Sequence, residues 1–479
     1  MINLHGFQLK KIAGAEYELV KDYQGKSLRI FAEENLLKAM DEEVFMQGRN
    51  VAQLPGLVGP VVIMPDAHSG YGAPIGTVFA MDAEEGYVSP GAVGYDINCG
   101  MRLITTNLFF TEVKNYIEKL INLLFEFVPA GVGRKGFLKV NREELKKLVT
   151  DGVEYLVKAK GIGWLEDIQN IEESGKIDGA DFSCISQEAV DRGINQLATL
   201  GSGNHYLEIQ KVEKIFNPDI ANKLGIKENN QIVIMVHCGS RGFGHQICTD
   251  YLRIFESHLS EFKIVLNDRQ LVCAAIGSQS AKQYLAAMAA ASNFAFVNRE
   301  AITHKIRNAF EKVLGKSAKE LEMNLVYDVA HNIAKLEEHE IPNNLNKNGE
   351  SKKKRKVLVH RKGATRSFPG QPVIIGGSME TGSYLLVGGN EAVKKTFGST
   401  AHGSGRTMSR AKAKKMIHGQ NLWQNMKNKG IFVKSASWAG LAEEAGFAYK
   451  NISDVVKSVS ITGLSEPVAY FKPVGNIKG

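Results

Sequence analysis

Three short apolar runs each lead straight into polar and ionisable residues. They cover residues 61–64 (Val-Val-Ile-Met), 232–236 (Ile-Val-Ile-Met-Val) and 325–329 (Leu-Val-Tyr-Asp-Val). Apolar runs of four to eight residues fit buried strands and are too short for an ordinary helix. The first runs into Pro65-Asp66-Ala67-His68, the second into His237, and the third ends at His331. A chain built this way buries several strands and presents its chemistry at their ends. Other strand-like runs cover 357–359, 373–375 and 384–387. Helical patterns interleave with them. One lies near 34–46. In 111–127, Val113, Ile117, Leu120, Ile121 and Leu124 recur at helical spacing, and an Ala-rich helix is expected over 280–314. Another helix is expected to start near 407–409. The fold class is therefore α/β, in the broad α+β sense.

At 479 residues the chain could form two or three domains or one large domain with insertions. Residues 135–200 read as a polar, partly helical insertion. Residues 343–356 are Asn/Lys-rich and contain Lys352-Lys353-Lys354-Arg355-Lys356. A solvated loop is the bland reading of this segment, and contact with RNA phosphates the sharper one. No internal repeat of fixed period is present.

The formal charge of +8 suits a polyanionic partner and equally suits a soluble enzyme that happens to be basic. No apolar stretch reaches 18 residues, so no membrane span is expected, and residues 1–11 carry no signal-peptide pattern. Five cysteines, an odd number without framework spacing, suggest reduced thiols and a cytoplasmic setting.

Two groups of residues could carry chemistry. The first is Asp96 and Cys99 in Tyr95-Asp96-Ile97-Asn98-Cys99-Gly100, with His205, His237 and His331. Thiolate and imidazole suit borderline metals, a carboxylate adds affinity for a harder ion, and a thiolate can bridge two ions. Each histidine alone reads more simply as a hydrogen-bonded structural residue, and the spacing is no compact metal finger. The second group lies in Gly398-Ser399-Thr400-Ala401-His402-Gly403-Ser404-Gly405-Arg406, downstream of Gly376-Gly377-Ser378-Met379 and Ser383. Gly/Ser-rich turns offer backbone N–H donors to phosphate, and His402 could contact phosphate or bond to it covalently. Arg406 and Arg410 would add positive charge. The simpler alternative is a tight turn with an incidental histidine. Arg361, Lys362 and Arg366 form a further candidate phosphate loop or a set of solvated charges. Asp66 and His68 could support the metal site or stabilise their own loop.

Across these residues the chain resembles the RtcB family of RNA-splicing ligases. The matching segments are Pro65-Asp66-Ala67-His68, Gly94-Tyr95-Asp96-Ile97-Asn98-Cys99-Gly100, Leu200-Gly201-Ser202-Gly203-Asn204-His205, His237-Cys238-Gly239-Ser240-Arg241-Gly242, Tyr327-Asp328-Val329-Ala330-His331-Asn332, His360-Arg361-Lys362-Gly363-Ala364-Thr365-Arg366 and Ala401-His402-Gly403-Ser404-Gly405-Arg406. They appear in the family's order, and the terminal Val474-Gly475-Asn476-Ile477-Lys478-Gly479 resembles the family's end.

The resemblance implies one large α/β domain over 1–479 with a central metal-containing cleft. It implies two manganese ions held by Asp96, Cys99, His205, His237 and His331, with Cys99 bridging. It implies that His402 takes GMP from GTP. The guanylate would lie against Asn204, His205, Tyr206, Leu207, Glu208, His331, Asn332, Gly376, Gly377, Ser378, Met379, Ser383, His402, Gly403, Ser404, Gly405 and Lys478, with Lys478 reading the base. Asp66, Arg241, Arg406 and Arg410 are candidates for phosphate or RNA contact. The implied reaction joins an RNA 3′-phosphate or 2′,3′-cyclic phosphate to a 5′-hydroxyl, in tRNA splicing or RNA repair. The need for an activating protein partner is left open.

The chain departs from the family pattern at Cys238, where the family usually has Ser, and in the strongly basic segment 343–356. A metal-dependent phosphodiesterase or phosphatase on RNA ends is the competing expectation, since it needs the metal set and no covalent histidine. A non-catalytic RNA-binding protein would leave the ligand-type residues unexplained.

Overall fold

The first two apolar runs are the middles of longer strands, and the third fills its strand but for the last residue. In this computed structural model, residues 1–21, 25–259, 265–342 and 352–479 are described. In chain order, the strands that build the site are β1 (Leu57–His68), β2 (Ile75–Asp82), β3 (Gly100–Phe109), β4 (Tyr206–Ile215), β5 (Gln231–Cys238), β6 (Leu325–Ala330), β7 (Asn332–Pro342), β8 (Lys352–Lys362), β9 (Pro372–Gly376), β10 (Ser383–Gly388) and β11 (Ser465–Lys478). The helices that matter most are α1 (Arg142–Lys160), α2 (Arg241–Ser257), α3 (Gln279–Leu314) and α4 (Arg410–Met416).

Two mixed-origin sheets face the cleft. In one, the order is β6-β3-β5-β4-β11-β10-β9. In the other, four strands from the first 31 residues lead into β1-β2-β8-β7. Strand β5 is buried along its whole length. Its alternating residues feed two different cores. Ile232, Ile234, Val236 and Cys238 join the large one, while Val233 and Met235 join a smaller one with Met101, Leu103 and Phe471. A strand buried on both faces reads as a continuous apolar run, which is why no polar alternation marks it in the sequence.

Helix α3 occupies the Ala-rich region, one residue longer at its start than expected, and is buried on all sides from Ala287 to Thr303. Small side chains let the surrounding elements close on it. Residues 135–200 lie against it mainly through α1. The pattern near 34–46 divides into two helices, Glu34–Lys38 and Glu42–Ala52. Likewise, 111–127 divides at its start, with the main helix spanning Ile117–Phe127. The helix expected near 407–409 is α4, capped by the Ser409 hydroxyl.

The last five residues of the basic segment do not form the loop expected from their composition. Residues 352–356 open strand β8, while residues 343–351 lie outside the described residues. Lys356 pairs across the ladder with Glu338, and Lys354 with Glu340. Opposite charges on facing positions favour that register, a long-range pairing that composition cannot reveal. Among the described residues, no helix is long and apolar enough to cross a membrane. All five cysteines are unpaired.

Candidate metal centre and nucleophile

Antiparallel pairing brings the ligand-type residues together. Strands β3 and β4 begin where β5 and β6 end, so Gly100 lies opposite both Cys238 and Ala330, and Tyr206 opposite His237. Cys99, His205, His237 and His331 each lie within one residue of one of those four ends. His331 also marks the point where the chain leaves one sheet for the other, since β7 begins at Asn332.

Two triads result. Asp96, Cys99 and His205 form one, and Cys99, His237 and His331 the other, with all donor atoms of each within 4.8 Å. Cys99 belongs to both. Its Sγ lies 3.3 Å from His205 Nε2 and 3.2 Å from His237 Nε2, and Asp96 Oδ2 is 2.8 Å from His205 Nε2. His205 Nδ1 donates to Leu200 O and His237 Nδ1 to Asn204 O, at 3.0 and 3.1 Å. A carbonyl can only accept, so both rings carry their Nδ1 proton outward and turn Nε2 toward the centre. His237 Nε2 and His331 Nε2 face each other at 3.3 Å, and His331 Nδ1 has no hydrogen-bond partner among the described residues. Buried lone pairs this close repel unless a proton or cation sits between them, so the donor set fits divalent cations.

Burial would lower His205, but Cys99 and Asp96 beside it hold it well above the ordinary imidazole value, so its Nε2 carries a proton that a cation would displace; the other two rings differ. Burial pushes His237 and His331 well below the ordinary imidazole value, which keeps them neutral. Burial would raise the Asp96 carboxyl, but His205 and Arg241 hold it well below the usual carboxylate range. Burial, with Asp96 beside it, pushes the Cys99 thiol up to about 12. A coordinating cation removes such a proton outright. Gly239 leaves room for this arrangement, since a Cβ there would come within 2.3 Å of Asp96 Oδ1.

His402 follows a short strand, Ser399–Ala401, that pairs with Ala364–Arg366. Its carbonyl accepts from Gly376 N at the end of β9, and Ser404 N returns a bond to Gly376 O. Its ring centroid is 4.8 Å from that of His331. Beneath it lies Asp66, wholly buried, with Oδ2 2.7 Å from His402 Nδ1. The same oxygen accepts from the backbone N–H of His402 and Gly403. Gly405 makes this possible. Its φ is +72°, and a Cβ there would lie 1.9 Å from Asp66 O. With Nδ1 committed to the carboxylate, Nε2 is the nitrogen left for chemistry.

Both features open on one cavity of about 650 Å³. Asn204, Tyr206, Asn332, the 376–379 segment, the 403–405 segment and Lys478 also line it.

A family profile described as "tRNA-splicing ligase RtcB" matches residues 47–479. Similar curated proteins carry the same description. That of Archaeoglobus fulgidus is 46% identical over 495 residues, covering all of both chains. That of Thermococcus kodakarensis is 45% identical over 98% of this chain and 99% of its own. That of Nanoarchaeum equitans is 46% identical, with the same coverage. The chain belongs to the RtcB family.

Within this RtcB chain, four of the residues expected beside guanylate are set back from the cavity. His205, Leu207, Glu208 and Ser383 are buried behind its wall. Glu208 accepts from Asn476 and Gln210, and burial pushes its carboxyl up to about 7. The expected phosphate contacts also divide. Asp66 is sealed beneath His402, where a phosphate could not reach it. Arg406 is committed to Met408 O, Glu443 O and Tyr449. Arg241 Nη1 lies 3.1 Å from His205 Nδ1, which donates to Leu200 O and cannot also accept, so Arg241 acts on the centre through its charge on Asp96. Arg410 lines the cavity and is half-exposed, beside Glu444. Arg361 and Arg366 are paired with Glu337 and with Glu173.

Cys238 belongs to neither triad, although burial, which would raise its thiol, is outweighed by His205 and Arg241 beside it in this RtcB structure. Its Sγ donates to Leu200 O at 3.0 Å and accepts from Asn298 Nδ2 at 3.1 Å. Sequence reasoning missed Tyr449 and Glu444 in the cavity wall, and Arg299 behind it. Arg299 donates to Asn98 O and Cys238 O, beside two ligands, and to Asp328. The one signal was an Arg-Glu pair inside an otherwise apolar, Ala-rich helix.

Proposed function

We propose that this chain is an RNA ligase that uses GTP and two manganese ions to join an RNA 3′-phosphate or 2′,3′-cyclic phosphate to a 5′-hydroxyl. The single observation that carries the reading is His402. Its Nδ1 is held by a buried carboxylate, and its ring stands against His331 of the metal triad. Membership of a family described as tRNA-splicing ligases supports RNA as substrate and ligation as reaction.

In this proposal His402 Nε2 attacks the α-phosphorus of GTP. A P–N bond forms, the bond to the β-phosphate oxygen breaks, and pyrophosphate leaves. Asp66 keeps the proton on Nδ1 and steadies the positive charge that develops on the ring. An oxygen of the RNA 3′-phosphate then attacks the same phosphorus, and the P–N bond breaks. The 5′-hydroxyl oxygen attacks the RNA phosphate, its proton is lost, and GMP departs. A cyclic phosphate is first opened by water. Asp96, Cys99, His205, His237 and His331 would hold the cations, which when bound neutralise phosphate charge and lower the pKa of a coordinated hydroxyl or water. Lys478, buried in the wall near Tyr206, would read the guanine. In-line transfer needs alignment and charge neutralisation more than further covalent help.

Incubation with α-labelled GTP and manganese, followed by a denaturing gel, tests the reading. Wild-type protein should retain label and His402→Ala should not, with metal content near normal in both. An unlabelled wild-type protein that still hydrolyses RNA 3′ ends would instead support a metal-dependent phosphodiesterase.

A further inference from the structure

The cavity has a second aromatic wall that the chemistry above does not use. Tyr71 and Tyr95 both line it and are partly exposed. Their ring centroids are 5.3 Å apart, in an edge-to-face arrangement. Tyr95 in turn stacks on His245, at 4.8 Å with 26° between the planes. His245 is exposed on the first turn of α2. The three rings therefore form a ladder running from the cavity to solvent. Tyr95 directly precedes Asp96 of the metal triad, so the inner part of the ladder is attached to the reaction centre.

The ladder is built to stay in place. Gly72 N donates to Gln270 Oε1 at 2.7 Å, and Lys362 Nζ donates to the carbonyls of Tyr71 and Gly91. Lys362 is itself buried. Partly exposed, immobilised aromatic rings lining a cavity carry a cost that a bound flat ligand would offset. Near the outer end, Arg192 is exposed on the surface and close enough to depress the His245 imidazole, after burial. An aromatic platform flanked by a cation is the arrangement that holds an unpaired base with its phosphate.

We propose that Tyr71, Tyr95 and His245 form a stacking wall for an unpaired nucleobase of the RNA end that reacts at the metal centre. This rests on the RNA-ligation reading and adds a subsite to it. Stacking tolerates any base, so the wall would favour a single-stranded terminal nucleotide without reading its identity.

The test is binding of a short fluorescent RNA with a 3′-phosphate, by anisotropy, with manganese present and GTP omitted. One probe carries a normal terminal nucleotide and the other an abasic one. Wild-type protein should prefer the normal end by roughly ten-fold. Tyr71→Leu and His245→Leu should each shrink that ratio toward one, while Tyr71→Phe, which keeps the ring, should restore it. Melting curves check each fold, and His245, being exposed, is the safer site. A ratio unchanged in both leucine variants overturns the wall and leaves ligation standing. No RNA binding by the wild-type protein overturns the wall and the ligation reading together.

Discussion

Asp66 and His402 form a buried carboxylate–imidazole pair, Oδ2 to Nδ1 at 2.7 Å, although 336 positions separate them in the chain. Burial would raise the Asp66 carboxyl, but the His402 ring and the Gly403 N–H hold it below the usual range. The carboxylate fixes the tautomer and leaves Nε2 bare. Asp66→Asn keeps the shape and loses that control. Labelling of the protein by α-labelled GTP should slow by about 10²–10⁴-fold, the range seen when an orienting carboxylate is neutralised. Manganese content should stay near wild type. An unchanged labelling rate would remove Asp66 from the mechanism.

Cys99 is the one residue common to both triads. Cys99→Ala should therefore lower occupancy of both cation positions, where loss of His331 should spare one. Metal analysis after gel filtration reads this directly. Two ions retained in the alanine variant would mean that the thiolate does not bridge.

Lys478 is buried, with Nζ 3.4 Å from Gly203 O and 5.4 Å from the centre of the Tyr206 ring. If its ammonium reads the guanine, Lys478→Ala should weaken GTP by roughly 10–100-fold, the usual worth of a charged hydrogen bond. ATP should be affected less. Competition of ATP against labelled GTP measures the selectivity, and an unaltered preference would place base recognition elsewhere.

Glu208 makes a pH prediction. Burial raises its carboxyl from 4.5 to about 7. Between those values the folded protein holds a proton that the unfolded chain has lost, so this group's contribution to stability falls as pH rises from about 4.5 to 7 and is level above that. Glu208→Gln lacks the titration. Its stability relative to wild type should improve by about 3 kcal/mol across that window. Urea unfolding at pH 5 and pH 8 measures the difference, and a pH-independent difference would contradict it.

The sequence was most legible where function and local pattern coincide. Apolar runs ending at His237 and His331 mark buried strands whose ends carry the candidate ligands, and the Gly-rich turn around His402 marks a site of close approach. The family resemblance then rested on those same segments. What could not be read is what antiparallel pairing creates. Nothing near Asp66 indicates His402 as its partner, and its burial leaves no room for the phosphate contact expected of it. Lys354 and Lys356 read as a loop because Glu340 and Glu338 face them only across the ladder. Arg299 looked like one residue of a long helix until the carbonyls of Asn98 and Cys238 were found at its guanidinium.

Strand β11 sits between β4 and β10, pairing Ala469 with both Ile215 and Leu385. The middle of that sheet is thus supplied by residues some 250 positions downstream of its neighbour. Until it arrives, two strands have bare edges open to pairing with other chains. Such a long-range closure is slow, so the nascent protein would need shielding during synthesis. A polypeptide interrupted before position 465 could neither complete its sheet nor retain Lys478 in the cavity wall, which couples the capacity to react with RNA to completion of the fold.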